Sequence, residues 1–205
     1  MISFDSDSIS ANENYKLLSG LVVPRPIAFV TTLSSVNGVV NAAPFSFFNV
    51  VCTEPPLLSI SVARSGGDHK DTARNLLHNG EGVVHIVDEN TAFDMNQTAA
   101  RLRADQSELE LTRLTTAASK RVNVPGIAEA PVRLEVTLHR HLTIENDRGE
   151  IVNDFFLLRV VHYEIDERVY DVDQGYIVLD KLKPVSRLAG NDYAKLGERF
   201  VLERP

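Results

Sequence analysis

An antiparallel β barrel or sandwich is the fold class this sequence predicts, and three observations predict it. The apolar runs are short and mostly alternate with period two, Gly- and Asn-bearing turns separate them, and few stretches carry helical spacing.

Taken in order, Ala11 to Ser19 is a helix candidate. Ile27 to Leu33 is apolar and β-branched, a strand. Ser34 to Gly38 is a turn, because Asn37-Gly38 tolerates the positive φ a hairpin needs. Val39 to Ala43 is the return strand. Pro55-Pro56 cannot donate to a ladder and marks a loop or strand start. Leu58, Ile60 and Val62 alternate with Ser59, Ser61 and Ala63, a strand with one apolar face. Lys70 to Asn79 places Ala73, Leu76 and Leu77 on one helical face, and Gly80 ends it. Gly82 to Val87 is a strand, and Thr91 to Arg101 is a helix candidate. Residues 102–130 are charged, Thr-rich and Pro-containing, an excursion over a pocket or toward a dimer partner. Val132 to His139 and Phe155 to Ile165 are two long strands turned by Asp147-Arg148-Gly149. The segment around Tyr193 to Leu196 suits a last helical turn. No repeat or linker interrupts the chain, so 1–205 reads as a single domain.

Composition excludes some functions. The 205 residues are 43% hydrophobic, enough for a core without staples. Lys and Arg number 21 against 28 Asp and Glu, a formal charge of -7, which argues against a nucleic-acid partner. Cys52 is the one cysteine, so no intrachain disulfide forms, as suits a reducing compartment. Its neighbours Asn49-Val50-Val51 supply no charge to lower its pKa, so a small buried hydrophobe is expected rather than a nucleophile. Met1 to Ser10 lacks the pattern of a signal peptide, and no apolar run is long enough to span a bilayer. A cytoplasmic protein with no membrane partner is the expectation.

Two segments carry candidate chemistry. In Asp68-His69-Lys70-Asp71-Thr72, Asp68 can cap a helix whose first N–H groups and dipole suit a phosphate. Lys70 adds charge, Thr72 a hydroxyl, and Arg64 ends the preceding strand, with Ser59 and Ser61 on that strand's polar face. The same residues also suit an ordinary capped surface helix. Asn41-Ala42-Ala43-Pro44-Phe45-Ser46-Phe47-Phe48-Asn49 offers a small, flat backbone bordered by aromatics, fit for close approach of a planar ring, with Ser46 and Asn49 as polar contacts. It equally suits a strand ending in a turn. Read together, the two segments match a phosphate-bearing aromatic cofactor such as flavin mononucleotide (FMN).

The ordered set Pro24-Arg25-Pro26-Ile27-Ala28-Phe29-Val30-Thr31-Thr32, Asn41-Ala42-Ala43-Pro44-Phe45-Ser46, Pro55-Pro56-Leu57 and Lys70-Asp71-Thr72 resembles the flavin reductase-like, FMN-binding split-barrel family. The resemblance runs from about Tyr15 to the C-terminus. The ending Pro184 to Gly190 with Tyr193 is similar to the family's longer branch. It implies a six-stranded antiparallel Greek-key split barrel with a few helices, a homodimer with FMN near the interface. By position it implies that Thr31, Thr32, Asn41, Ala42, Ala43, Ser46 and Asn49 surround the ring and ribityl chain. Ser61, Arg64, Lys70 and Thr72 would hold the phosphate.

One departure matters. Short-chain members carry Gly-Asp-His, linked to nicotinamide binding, where this chain has Asn153-Asp154-Phe155. The expected activity is NAD(P)H-dependent flavin reduction by hydride transfer to flavin N5, the cofactor carrying the chemistry and no side chain acting as catalyst. The alternative is an FMN-bound electron carrier serving a protein redox partner, which the departure favours. His139 and His141 share a strand face but lack a third ligand, so no metal is expected.

Overall fold

The computed structural model describes residues 1–203. Helix α1 (Ala11–Leu21) starts at Ser10, whose Oγ accepts from the Glu13 N–H while the Glu13 carboxylate accepts from the Ser10 N–H. Then come β1 (Arg25–Pro26), β2 (Ala28–Leu33), β3 (Val40–Phe45), β4 (Phe48–Thr53) and β5 (Pro56–Ala63). Helix α2 (Asp71–Asn79), β6 (Glu81–Ile86) and α3 (Ala92–Gln97) follow, and then the short pair β7 (Thr116–Ala117) and β8 (Gly126–Ile127). The long β9 (Val132–Glu145) and β10 (Ile151–Ile165) precede β11 (Tyr170–Asp171), β12 (Tyr176–Ile177), α4 (Leu179–Leu182), β13 (Val185–Arg187) and β14 (Tyr193–Lys195).

Seven strands form the main antiparallel sheet in the order β3-β2-β6-β9-β10-β5-β4. Its edge strands β3 and β4 are joined by only Ser46 and Phe47. The two ends of the sheet must therefore meet at that corner, which curls it into a barrel that stays open elsewhere: a split barrel. The expected count was six. The seventh strand is β4, whose Asn49, Val50 and Val51 are all exposed and show none of the alternation that marks the other strands in the sequence. Cys52 on β4 is only half-buried, contrary to expectation. Tyr193–Lys195 is a strand rather than a helical turn, because it pairs with β13 and buries one side of Tyr193.

The barrel interior packs Val30, Ile60, Val62, Val84, Val136, Phe156 and Leu158, each 0% exposed. Each such side chain contributes about 1.5–3 kcal/mol by leaving water. A second layer lies outside β2 and β3, where Phe29, Ala42, Met95, Leu114 and Ile127 pack together. Strand β2 is thus buried on both faces, which explains its unbroken apolar run.

Residues 102–130 form a strap over this outer layer, fastened by buried polar groups. Glu108 accepts from Asn41 Nδ2 at 2.9 and 3.0 Å and from the Ala42 N–H at 3.0 Å. Glu135 of β9 accepts the N–H groups of Lys120, Arg121 and Val122 at 2.6–3.1 Å. Ile127 donates its N–H to Nε2 of the buried His85 at 2.8 Å. Gly126 is required beside that bond: a Cβ there would sit 2.9 Å from Arg133 Cδ and 3.3 Å from His85 Nε2.

Candidate cofactor groove

A groove runs along the end of β3, over a floor of Ala43, Pro44, Phe45 and Ser46. It holds two adjoining cavities that share Pro44, Phe45 and Ala99. One, of about 310 Å³, is bordered by Asn41, Ser65, Lys70, Thr72 and Arg101. The other, of about 640 Å³, is bordered by Tyr15, Asn96, Arg187, Asn191 and Tyr193.

The smaller cavity is a cationic end. Lys70 is the N-cap of α2, no side chain caps that helix, and its first residues Asp71 and Thr72 line the cavity. Desolvation, and then the neighbouring Arg101 charge, lower the Lys70 pKa. Two cations side by side favour an anion. Two carboxylates also border it, and both are engaged: Asp71 pairs with Arg74, and Glu108 is spent on Asn41 and Ala42. Burial raises the Glu108 pKa against those hydrogen bonds. Asp68 does not cap the helix; it bridges back to Ser65 through backbone bonds of 3.2 Å, because Gly66 and Gly67 turn the chain at φ 63° and 89°.

The predicted site residues divide into four groups. Asn41, Ala43, Ser46, Lys70 and Thr72 border the groove. The Thr72 hydroxyl is spent on Asn41 Oδ1 at 2.8 Å. Thr31, Thr32 and Ala42 do not reach it; all are 0% exposed. Thr31 donates to the Pro125 carbonyl at 2.7 Å, and Thr32 lies between Asn41 and Asn75. The strap and α2 cover them, which residue spacing alone does not show. Asn49 and Ser61 lie around the Ser46–Phe47 corner on the outer sheet face, where Ser61 Oγ accepts from Asn153 at 2.9 Å. Arg64 is committed elsewhere, and Arg101 is the groove cation that sequence analysis missed.

Arg64 donates to both oxygens of Asp154, at 2.8 and 3.0 Å. Asp154 closes one end of the barrel interior, 0% exposed, and also pairs with His69 at 2.8 Å and His141 at 2.9 Å. Burial raises its pKa, but the hydrogen bonds from Arg64, His141 and His69 outweigh that and hold it at about 2. The Asn153-Asp154-Phe155 position is therefore a structural hub that braces the Arg64–His69 loop ahead of α2. Among the described residues no cluster of metal ligands occurs.

The antiparallel split barrel and the family match below together identify the chain as a flavin-dependent oxidoreductase. The chain belongs to the flavin reductase-like domain family, whose model matches residues 19–177. It is 60% identical to the Bacillus subtilis protein YwrF over 205 residues, the full length of both. Its structure matches that of nitrilotriacetate monooxygenase component B from Bacillus cereus at TM-score 0.95, with 44% identity over 98% of each chain. It also matches the 2-nitrobenzoate 2-nitroreductase NbaA of Pseudomonas fluorescens at TM-score 0.89, with 30% identity over 100% of this chain and 96% of that one. No helix among the described residues is long and apolar enough to cross a membrane.

Proposed function

We propose that the groove binds FMN and that the chain is an NAD(P)H-dependent flavin reductase. The observation that carries the reading is the uncapped start of α2 beside Lys70 and Arg101, at one end of a groove with an apolar floor. The phosphate takes the first N–H groups of α2 and the two cations. Ala43 and Pro44 leave room for a flat ring, and Ser46 offers a polar contact along the floor, while Asn41 holds Glu108 and Thr72 in place beneath it. When bound, the flavin supplies the hydride-accepting and electron-donating chemistry. The protein's part is to bind, orient and keep water from the ring, and no side chain of the groove is assigned a proton transfer.

Lys70→Ala and Arg101→Ala should each weaken FMN binding about 10–100-fold, because each removes a charge-assisted contact. Fluorescence titration of FMN measures this, and unchanged affinity in both variants removes the phosphate assignment. Anaerobic addition of NADH or NADPH to the FMN-loaded protein then tests the activity. Reduction by a partner protein only would establish the electron-carrier alternative.

We infer further that the protein is a homodimer. Phe155 and Leu142 are cross-strand partners on the outer sheet face, with Leu157 and Ile144 alongside and Phe47 at the corner. This face adjoins the groove at Ser46, as an interface near the cofactor requires.

A further inference from the structure

The larger cavity holds a second set of groups that cofactor binding does not use. Arg187 lies over the Tyr193 ring, its guanidinium carbon 4.5 Å from the ring centroid. Tyr193 is pinned in turn, its hydroxyl donating to Asn96 Oδ1 at 2.8 Å, and Arg187 also donates to the Gly190 carbonyl. The planar cation is thus held in place before any ligand arrives.

Among the described residues Arg187 has no counter-ion. None of the ion pairs among the described residues includes it. Its cross-strand partner is another cation, Arg25. Arg25 is 7% exposed, makes no ion pair either, and its Nε is the one buried side-chain polar atom among the described residues that lacks a hydrogen-bond partner. Its other nitrogens donate to the Ser19, Val22 and Leu188 carbonyls. Like charges placed opposite each other in a ladder destabilise a fold. In a chain of net charge -7, Arg187 borders the cavity of about 640 Å³, and the buried Arg25 opposite it in the ladder adds to the local positive field.

We propose that Arg187, stacked on Tyr193, is the specificity-determining residue for the second reactant, and that this reactant is a planar ring bearing an anionic group. The inference rests on the flavin reading above. The phosphate occupies the Lys70–Arg101 end, and the Arg187 end receives the molecule that exchanges electrons with the flavin. The anionic group is either a nucleotide phosphate or an aromatic carboxylate, and Arg187 recognises both by the same forked hydrogen bonds.

The test compares charged and neutral reactants of like shape. FMN-loaded wild type, Arg187→Gln and Arg187→Lys are reduced anaerobically by NADH or by neutral 1-benzyl-1,4-dihydronicotinamide. Benzoate and benzamide are titrated into the same proteins, with and without flavin, by tyrosine fluorescence. Arg187→Gln should weaken NADH or benzoate at least tenfold, change the neutral compounds less than twofold and leave FMN affinity unaltered. Arg187→Lys, which keeps the charge but not the fork, should fall between. Loss for NADH alone identifies a phosphate, and loss for benzoate alone a carboxylate. Equal binding of both anions by Arg187→Gln and wild type overturns the proposal. A protein that takes no FMN overturns the cofactor reading and with it the second-reactant role, and benzoate binding through Arg187 would then show an anion site alone.

Discussion

Acid should loosen the strap at residues 102–130 through one buried imidazole. His85 is 0% exposed; Nδ1 lies 2.8 Å from the Phe29 carbonyl, and Nε2 accepts the Ile127 N–H at 2.8 Å. Only the neutral ring with its proton on Nδ1 makes both bonds, since a proton on Nε2 would meet the Ile127 N–H. Burial, then the nearby Arg133 charge, push the pKa down from 6.5 to about 4, against the hydrogen bond to Phe29. The folded value lies below the unfolded one. The stabilisation is therefore complete above about pH 6.5 and is lost as pH falls from there toward 4. At about 1.4 kcal/mol per pH unit, the loss is about 3 kcal/mol once pH is below 4, and about 2–3 kcal/mol at pH 4.5. Urea unfolding of wild type and His85→Gln between pH 7.5 and 4.5 isolates this contribution, because every other titrating group is common to both. Wild type should lose about 2–3 kcal/mol more than the variant. Parallel stability curves would refute the assignment. Arg101, Leu102 and Glu108 of the groove wall lie on the strap or at its start, so FMN retention should fall over the same pH window.

Asp154→Asn keeps the shape of the hub but removes its charge, leaving Arg64, His69 and His141 without their shared partner. Melting temperature should drop by roughly 5 °C, and FMN affinity should weaken as the loop before α2 loosens; an unaltered thermal scan would show the hub to be dispensable. Leu142→Glu with Ile144→Glu places charge on the exposed apolar sheet face. Sedimentation velocity should show a wild-type dimer and a monomeric variant, and a monomeric wild type at tens of micromolar would dismiss the interface.

The strands were legible where one face is buried and the other is not. Leu58, Ile60 and Val62 alternate with Ser59, Ser61 and Ala63, and β5 buries the apolar set as expected. Strand β4 was not legible, because as an edge strand beside the barrel's open seam it exposes Asn49, Val50 and Val51 in succession. The attachment of residues 102–130 was not legible. Glu108, Glu135 and His85 resemble solvated residues in a charged sequence until the fold buries them against backbone N–H groups.

By itself the sequence determined the antiparallel class, the turns and helix α2, since these follow from local periodicity and turn chemistry. Tertiary structure alone decided which candidates face the groove. Thr31 and Ala42 sit one strand position from useful neighbours, yet the strap covers them. Arg64 is drawn to Asp154, 90 residues away in sequence. Arg101 and Arg187 reach the groove from segments that no local pattern links to Ala43. Side-chain access and ion pairing depend on long-range contacts, and those exist only once the sheet has curled and its two edges meet at Ser46–Phe47.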